Sequence, residues 1–165
     1  MQKADCLQGK WWNVVFLLTA LLVVAADQLS KVWIRSNLVM WQSLPEAGFF
    51  RLTHVPNYGA TFGLFQGQTF PLIIVALVGI VILLVYALFI SHRFPFLNNV
   101  VGKLALGLVL GGTVGNLIDR LRFGYVTDFI AVGIWPAFNL ADSVIVVGVI
   151  IFAYSLRSPT RARKH

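Results

Sequence analysis

The chain has 165 residues, of which 58% are hydrophobic and 12% are charged, and its formal net charge at pH 7 is +7. Its mean hydropathy of +0.81 is too high for one soluble core of this size, so the composition excludes an ordinary soluble domain and predicts an integral membrane protein. The basic residues are dispersed around apolar runs, which argues against nucleic acid as a partner.

Four apolar runs have about the 20 residues that a helix needs to cross a bilayer. The first run follows Lys3 and Lys10 and ends in Ala25-Ala26, as a cleavable signal peptide does, but apolar residues continue to Ile34 and favour a retained anchor. An even number of spans puts both termini on one side of the membrane. We therefore predict a single integral-membrane domain, residues 1–165, with spans at about 11–31, 70–90, 100–118 and 138–156.

The basic residues flanking the spans predict the orientation of the chain, because cytoplasmic segments are enriched in Lys and Arg. Eight of the 13 basic residues fall on the side of the two termini, and the tail after residue 156 has no acidic residue. We therefore predict cytoplasmic termini. The eight are Lys3, Lys10, Arg93, Lys103, Arg157, Arg161, Arg163 and Lys164, and the other five are Lys31, Arg35, Arg51, Arg120 and Arg122.

The loops on the opposite side have strand character. In the longer loop, residues 35–68, segments 49–55 and 61–65 are rich in β-branched and aromatic residues and flank a predicted turn at 56–59. The shorter loop, 121–136, is similar at 125–130, whereas the connection 91–99 is predicted to be a plain linker. The sequence predicts an all-α membrane protein of four transmembrane helices with a small sheet at the outer membrane surface.

Four of the six acidic residues lie within or at the ends of the apolar stretches, where an ionised carboxylate is costly. Asp27 and Lys31 are four residues apart, so we interpret them as an ion pair on one helix face. We also interpret Asp119, beside Arg120, as part of a structural charge pair. The other two of these four, Asp128 and Asp142, are the strongest candidates for catalytic residues.

The polar residues near the outer ends of the spans are predicted to form a pocket under the sheet. Asn116, Asp119 and Arg120 share a helix face in span three, Asn139 and Asp142 do so at the start of span four, and the extended loop between them supplies Asp128. Three glycines precede Asn116 and are expected to let a neighbouring helix approach closely. They are Gly111, Gly112 and Gly115.

Two carboxylates held close together in such a pocket tend to share one proton. One can then accept a proton from water while the other donates one to a peptide carbonyl, as in an aspartic protease. A proton-coupled transporter or channel subunit is the alternative, but its carboxylates should trace a path across the bilayer. A purely structural assembly protein would leave the number of buried polar groups unexplained.

Other site chemistries fit the sequence less well. His54, His92 and His165 are scattered over different segments, so we expect neither a metal site nor a cofactor. Ser143 lacks the sequence context of a serine nucleophile. Cys6 is the single cysteine and is expected to be a free thiol.

Five blocks in order resemble the lipoprotein signal peptidase family, also called signal peptidase II. The resemblance covers nearly the whole stretch from residue 27 to residue 142, and no one block carries it alone. The blocks are Asp27-Gln-Leu-Ser-Lys31, Asn57-Tyr-Gly-Ala-Thr-Phe-Gly63, Gly111-Gly-Thr-Val-Gly-Asn-Leu-Ile-Asp-Arg120, Val126-Thr-Asp-Phe129 and Phe138-Asn-Leu-Ala-Asp142.

The resemblance implies an aspartic endopeptidase whose catalytic pair falls on Asp128 and Asp142. It also implies a four-helix membrane bundle with a small periplasmic β-cradle. Thr61 stands where many members have Ala, and the loop between the two catalytic blocks is short, which is expected to alter the substrate groove or its cover. The implied groove residues are Asn57, Asn116, Arg120 and Asn139, and the implied supporting residues are Asp27, Lys31, Gly59, Asp119 and Ala141.

The substrates implied by the resemblance are bacterial prolipoproteins, which are cut before a cysteine that carries a diacylglyceryl group. The enzyme is expected in the bacterial inner membrane among phospholipids, with its active site at the periplasmic face. It is expected to act as a monomer and to need no cofactor, metal or nucleic acid. Lipid anchoring of the substrate would hold the scissile bond at the membrane surface, where the two carboxylates are predicted to lie.

Overall fold

The computed structural model describes residues 2–59, 67–93 and 99–157, with the side chains of residues 2–10, 92, 156 and 157 outside the description. The described part is mostly helical and has one small sheet. The helices are α1 (Gln2–Asn37), α2 (Thr69–Val85), α3 (Val100–Phe123) and α4 (Leu140–Arg157), and the strands are β1 (Ser43–Leu44), β2 (Phe50–Asn57) and β3 (Val126–Val132).

Helix α3 lies between α1 and α4, and glycines let the backbones of these helices approach. A Cβ atom built on Gly111 would lie 2.6 Å from Cβ of Val23 on α1, and one on Gly112 would lie 2.6 Å from the carbonyl oxygen of Ala141 on α4. Both distances are too short for real atoms. The predicted close helix approach is therefore confirmed.

Helices α1 and α3 extend past the apolar runs that predicted them. Helix α1 continues six residues beyond Lys31 to Asn37, and α3 continues to Phe123, where Gly124 ends it with a left-handed φ of +78°. Charged residues can lie in the last turns of such a helix when their side chains have buried partners, as several do here. These two helices therefore continue beyond the residues predicted to lie within the membrane.

Within the part of the chain that the structure describes, three helical segments are long and apolar enough to cross a membrane. They are Trp11–Asn37 of α1, Thr69–Ile90, which combines α2 with a π-helical turn (Tyr86–Ile90), and Val100–Phe123 of α3. The apolar part of α4, Leu140–Ser155, is shorter. Helix α2 has no buried residue: Ile80, Leu83 and Leu84 pack half-buried against the core, and most of its other large apolar side chains are exposed, as expected for contact with lipid.

The three strands form an antiparallel sheet in the order β1, β2, β3. The strands predicted at 49–55 and 125–130 are confirmed, while the segment 61–65 lies outside the described residues. The predicted turn at 56–59 is wrong in its first half, because Pro56 and Asn57 pair with Thr127 and Val126 and so extend β2. The short strand β1, which pairs with Leu52 and Thr53, was not predicted.

Two apolar clusters hold these layers together. The larger one joins the helices and is built on Phe16, Ala20, Ala87, Leu106 and Leu110. The smaller one lies under the sheet, where Ile34 of α1 and Leu38, which directly follows α1, pack against Phe129 of β3. This second cluster fixes β3, and with it Asp128, against the end of α1.

The far end of the bundle holds a buried cation with no predicted role. Lys103 of α3 donates hydrogen bonds to Oδ1 of Asn13 on α1 (2.6 Å), to Oγ of Ser91 (2.9 Å) and to the carbonyl oxygen of Ala87. Ala87 and Ser91 belong to the π-helical turn and to the short 3₁₀ turn Ser91–Arg93 that follows it. The connection predicted as a plain linker therefore begins with helical turns, and its residues 94–98 lie outside the description.

Candidate active site

Asp128 and Asp142 line one cavity of about 890 Å³, and Asn139 connects them. Asp128 lies on β3, and Asp142 lies in the first turn of α4. The side-chain amide of Asn139 donates to Oδ1 of Asp128 (2.7 Å), and its Oδ1 accepts the backbone N–H of Asp142 (3.0 Å). One residue therefore fixes the carboxylate of one aspartate and the backbone of the other.

Two further asparagines donate hydrogen bonds to the carboxylates of this pair. Asn57, at the end of β2, donates to Oδ2 of Asp128 at 2.9 Å, and Asn116 of α3 donates to Oδ1 of Asp142 at 2.8 Å. Amide donors orient a carboxylate without neutralising it. The structure thus brings together the five carboxylate and amide residues that the sequence assigned to the pair and its groove.

Arg120 lines the same cavity, and its guanidinium places a positive charge there. Its Nη2 donates to the carbonyl oxygen of Gly59 at 3.1 Å, and the N–H of Gly59 donates to Oδ1 of Asn57 at 2.9 Å. Gly59 therefore links the arginine to the asparagine that holds Asp128. The guanidinium is attracted to both Asp142 and Asp128 and balances part of their negative charge.

The environment of Asp128 favours its protonated form. Burial, and secondly the nearby Asp142 carboxylate, raise the pKa of Asp128 to about 7, although hydrogen bonds from Asn139 and Asn57 act in the opposite direction. Near neutral pH the pair therefore holds one proton for part of the time. Such a pair can offer an acid and a base to the same reacting bond.

Behind the cavity, a buried ion pair supports the site. Nζ of Lys31 lies 2.8 Å from Oδ2 of Asp27, which confirms the predicted i, i+4 pair, and it donates to Oδ1 of Asn116 at 2.9 Å. Because Lys31 takes the amide oxygen of Asn116, the amide nitrogen of Asn116 is directed at Asp142. Asp27 also accepts the backbone N–H of Ala141 at 3.1 Å, next to Asp142.

Asp119 is buried and belongs to the support, as the sequence indicated, but its partners differ from the adjacent Arg120. Its carboxylate lies 3.5 Å from the side-chain nitrogens of both Lys31 and Arg35, and its Oδ2 accepts the backbone N–H of Thr127 at 2.9 Å. Residues 119 and 120 point in different directions because adjacent helical positions are about 100° apart. Asn116 and Arg120 therefore both line the cavity, whereas Asp119 lies behind it and shares only Lys31 with Asn116.

The cavity walls are mainly apolar and aromatic, and the sequence analysis missed them. Trp41 and Trp135 line the cavity, and Trp41 has a φ of +71°, a backbone conformation that is strained for a bulky residue. Arg35 and Thr127 were also missed as parts of the support. Arg35 lies four residues beyond Lys31, so helical spacing alone could have placed it on the same face.

The part of the chain that the structure describes contains no group of three His, Cys, Asp or Glu side chains that could hold a metal ion. His54, on β2, is buried, and its Nδ1 bonds to the carbonyl oxygen of Leu38 at 2.9 Å. The polar side chains that line the cavity are carboxylates, amides, a guanidinium and the hydroxyls of Tyr58 and Ser143.

Residues 19–157 match the family model described as Signal peptidase (SPase) II. A lipoprotein signal peptidase of Dehalococcoides mccartyi is 53% identical over 84% of this chain and 86% of its own, and that of Moorella thermoacetica is 53% identical over 87% and 93%. A solved bacterial membrane enzyme, determined by the in meso method at 2.3 Å resolution, superposes with a TM-score of 0.77 at 29% identity, covering 91% of this chain and 92% of that one. This chain belongs to the signal peptidase II family.

Proposed function

We propose that Asp128 and Asp142 are the catalytic pair with which this aspartic peptidase removes signal peptides from prolipoproteins. The observation that carries the proposal is the pairing of two carboxylates across Asn139 inside a cavity of mainly apolar walls. Of the other acidic side chains that the structure describes, Glu46 is exposed in the loop, and Asp27 and Asp119 are both engaged by Lys31. That leaves one pair available to a substrate.

In the proposed reaction, the ionised Asp142 takes a proton from a water molecule while the water oxygen attacks the carbonyl carbon of the scissile bond. The protonated Asp128 donates its proton to the carbonyl oxygen, which gives a tetrahedral diol. The diol then collapses, the C–N bond breaks, and the leaving nitrogen receives a proton from the pair. The raised pKa of Asp128 supports its assignment as the initial acid.

Arg120 is proposed to bind the backbone of the substrate near the scissile bond. A signal peptide that enters as a helix must unwind locally, and its freed carbonyl groups need donors. Arg120 carries further N–H groups besides the one given to Gly59. Asn57 and Asn116 line the cavity and each have a second amide N–H, so they can hold the carboxylates and still bind substrate, whereas Asn139 is fully buried and acts through the carboxylates.

The substrate is proposed to be cut before a diacylglyceryl-modified cysteine at the periplasmic face of the inner membrane. The distribution of basic residues supports cytoplasmic termini, and four spans are required to return the chain to that side. Among the side chains that the structure describes, Asp27, Asp119, Asp128 and Asp142 form one network near the sheet rather than a path through the bundle, which disfavours the transporter alternative. Phospholipid contacts and a monomeric state complete the proposal.

The test is cleavage of a diacylglyceryl-modified prolipoprotein by purified enzyme in lipid or detergent. We expect Asp128→Asn and Asp142→Asn each to lower turnover at least about a thousandfold, because removing one member of a cooperating pair removes most of its effect. Glu46→Gln, at an exposed acidic residue of the loop, is the matched control and should cleave normally. Normal turnover by either folded aspartate variant would refute the assignment.

A further inference from the structure

Arg35 reaches from the end of α1 to the strand that carries Asp128. Its Nη1 donates to Oγ1 of Thr127 at 2.8 Å and lies 3.5 Å from Oδ1 of Asp119. Its guanidinium also stacks over the ring of Phe123, 4.6 Å from the ring centroid. These contacts hold an otherwise flexible side chain in one position.

Thr127 is fully buried and is held from two directions. Its backbone N–H donates to Asp119 of α3, and its hydroxyl accepts from Arg35 of α1. Strand β3 is at the edge of the sheet, so an N–H that points away from β2 has no strand to bond and takes the Asp119 carboxylate instead. The residue directly before Asp128 is thereby fixed to two helices.

Successive side chains of a strand point to opposite faces. Thr127 accordingly faces Arg35, and Asp128 faces the cavity, where it meets Asn57 and Asn139. A shift of Thr127 along or away from α1 would move Asp128 by a similar distance. The position of one carboxylate of the pair therefore depends on contacts behind the strand.

We propose that Arg35 is a positioning residue, which acts through the Thr127 hydroxyl to hold β3 where the Asp128 carboxylate can work with Asp142. The inference rests on the proposed function, in which these two aspartates are the catalytic pair. Arg35 has no contact with the reacting atoms in this role. Its effect should therefore appear in the chemical step and not in substrate affinity.

The experiment compares Arg35→Gln and Thr127→Val with wild type, using a diacylglyceryl-modified prolipoprotein. Thr127→Val keeps the β-branched shape and removes the hydroxyl. We expect kcat to fall about 10- to 100-fold with KM changed less than about twofold, since a misplacement of about 1 Å can cost a hundredfold in rate. Thr127→Ser keeps the hydroxyl and should retain most of the wild-type kcat.

Arg122→Gln is the matched control, because Arg122 stacks over the same Phe123 ring and carries the same charge at the same end of α3. It should leave kcat unchanged. Wild-type kcat in folded Thr127→Val, or an equal loss in Thr127→Val and Thr127→Ser, would overturn the inference. If Asp128→Asn and Asp142→Asn remain active, the proposed function itself fails. If both of these variants lose activity but Thr127→Val has a wild-type kcat, only the role of Arg35 is rejected.

Discussion

The dependence of activity on pH should report the shared proton of the catalytic pair. Asp128 donates a proton in the proposed reaction, and its pKa in the folded enzyme is raised to about 7. Above that pH the acid is lost, so kcat/KM should fall about tenfold for each further pH unit. Below that pH the acid is present, and this limb of the profile levels off.

Removal of the Asn57 amide should move this alkaline limb in a defined direction. Asn57 donates to Oδ2 of Asp128 at 2.9 Å and stabilises the ionised form, so Asn57→Ala should raise the pKa of Asp128. A hydrogen bond to a charged group contributes about 1.5–3 kcal/mol, and 1.36 kcal/mol corresponds to one pKa unit. Partial replacement of the amide by water reduces this, and we expect a shift of about +0.5 to +1 unit.

The assay is kcat/KM for a lipidated prolipoprotein between about pH 5 and 9, with binding measured separately. Asn57→Ala is expected to bind substrate more weakly as well, but only the midpoint of the alkaline limb tests the electrostatic reasoning. An unchanged midpoint, or one that moves to lower pH, would refute it. Thermal unfolding gives an independent check. Because the pKa of Asp128 is higher in the folded than in the unfolded state, the folded state binds the proton more tightly, and the stability gained from this proton is lost as pH rises from about 4 to 7.

Two further changes test the support behind the cavity and the helix packing. Lys31→Met removes a buried ammonium from Asp27 and Asn116, and it should destabilise the protein by about 3–5 kcal/mol, measured by unfolding in detergent. The double variant that also carries Asp27→Asn should recover part of this loss. An unchanged unfolding temperature in Lys31→Met would contradict the prediction. Gly111→Ala forces α1 and α3 apart and should lower the unfolding temperature, whereas Gly79→Ala, which meets nothing within 4 Å, should leave it unchanged or raise it. Equal effects at the two glycines would show that close packing is not the cause.

The sequence predicted the helices and two strands well because hydropathy and β-branched residues act locally. It underestimated α1, since Lys31 and Arg35 are tolerated past the apolar run only through partners far along the chain. Lys31 bonds Asn116, 85 residues away, and Arg35 bonds Thr127, 92 residues away. No local pattern contains such contacts.

The candidate site was predicted residue by residue from the resemblance of five blocks, and the structure brings those residues into one network. The sequence could not tell that Asn139 contacts both aspartates or that Asp119 bonds the strand at Thr127. Pro56 was expected to break the strand, but a strand needs no N–H at every position, and pairing with β3 keeps it extended. These contacts depend on how separate helices and strands pack together, and a local sequence pattern carries no information about that packing.

The buried ammonium of Lys103 has a consequence for how the protein assembles. Its acceptors come from α1 and from the turns that follow α2, so no single inserted helix can satisfy it. Until all three segments meet, this charge must stay in contact with water or headgroups at the membrane edge, because an unpaired ammonium is costly in lipid. The ammonium therefore has all of its partners only when α3 is packed against both α1 and the turns that follow α2, which ties this end of α3 to the assembled bundle.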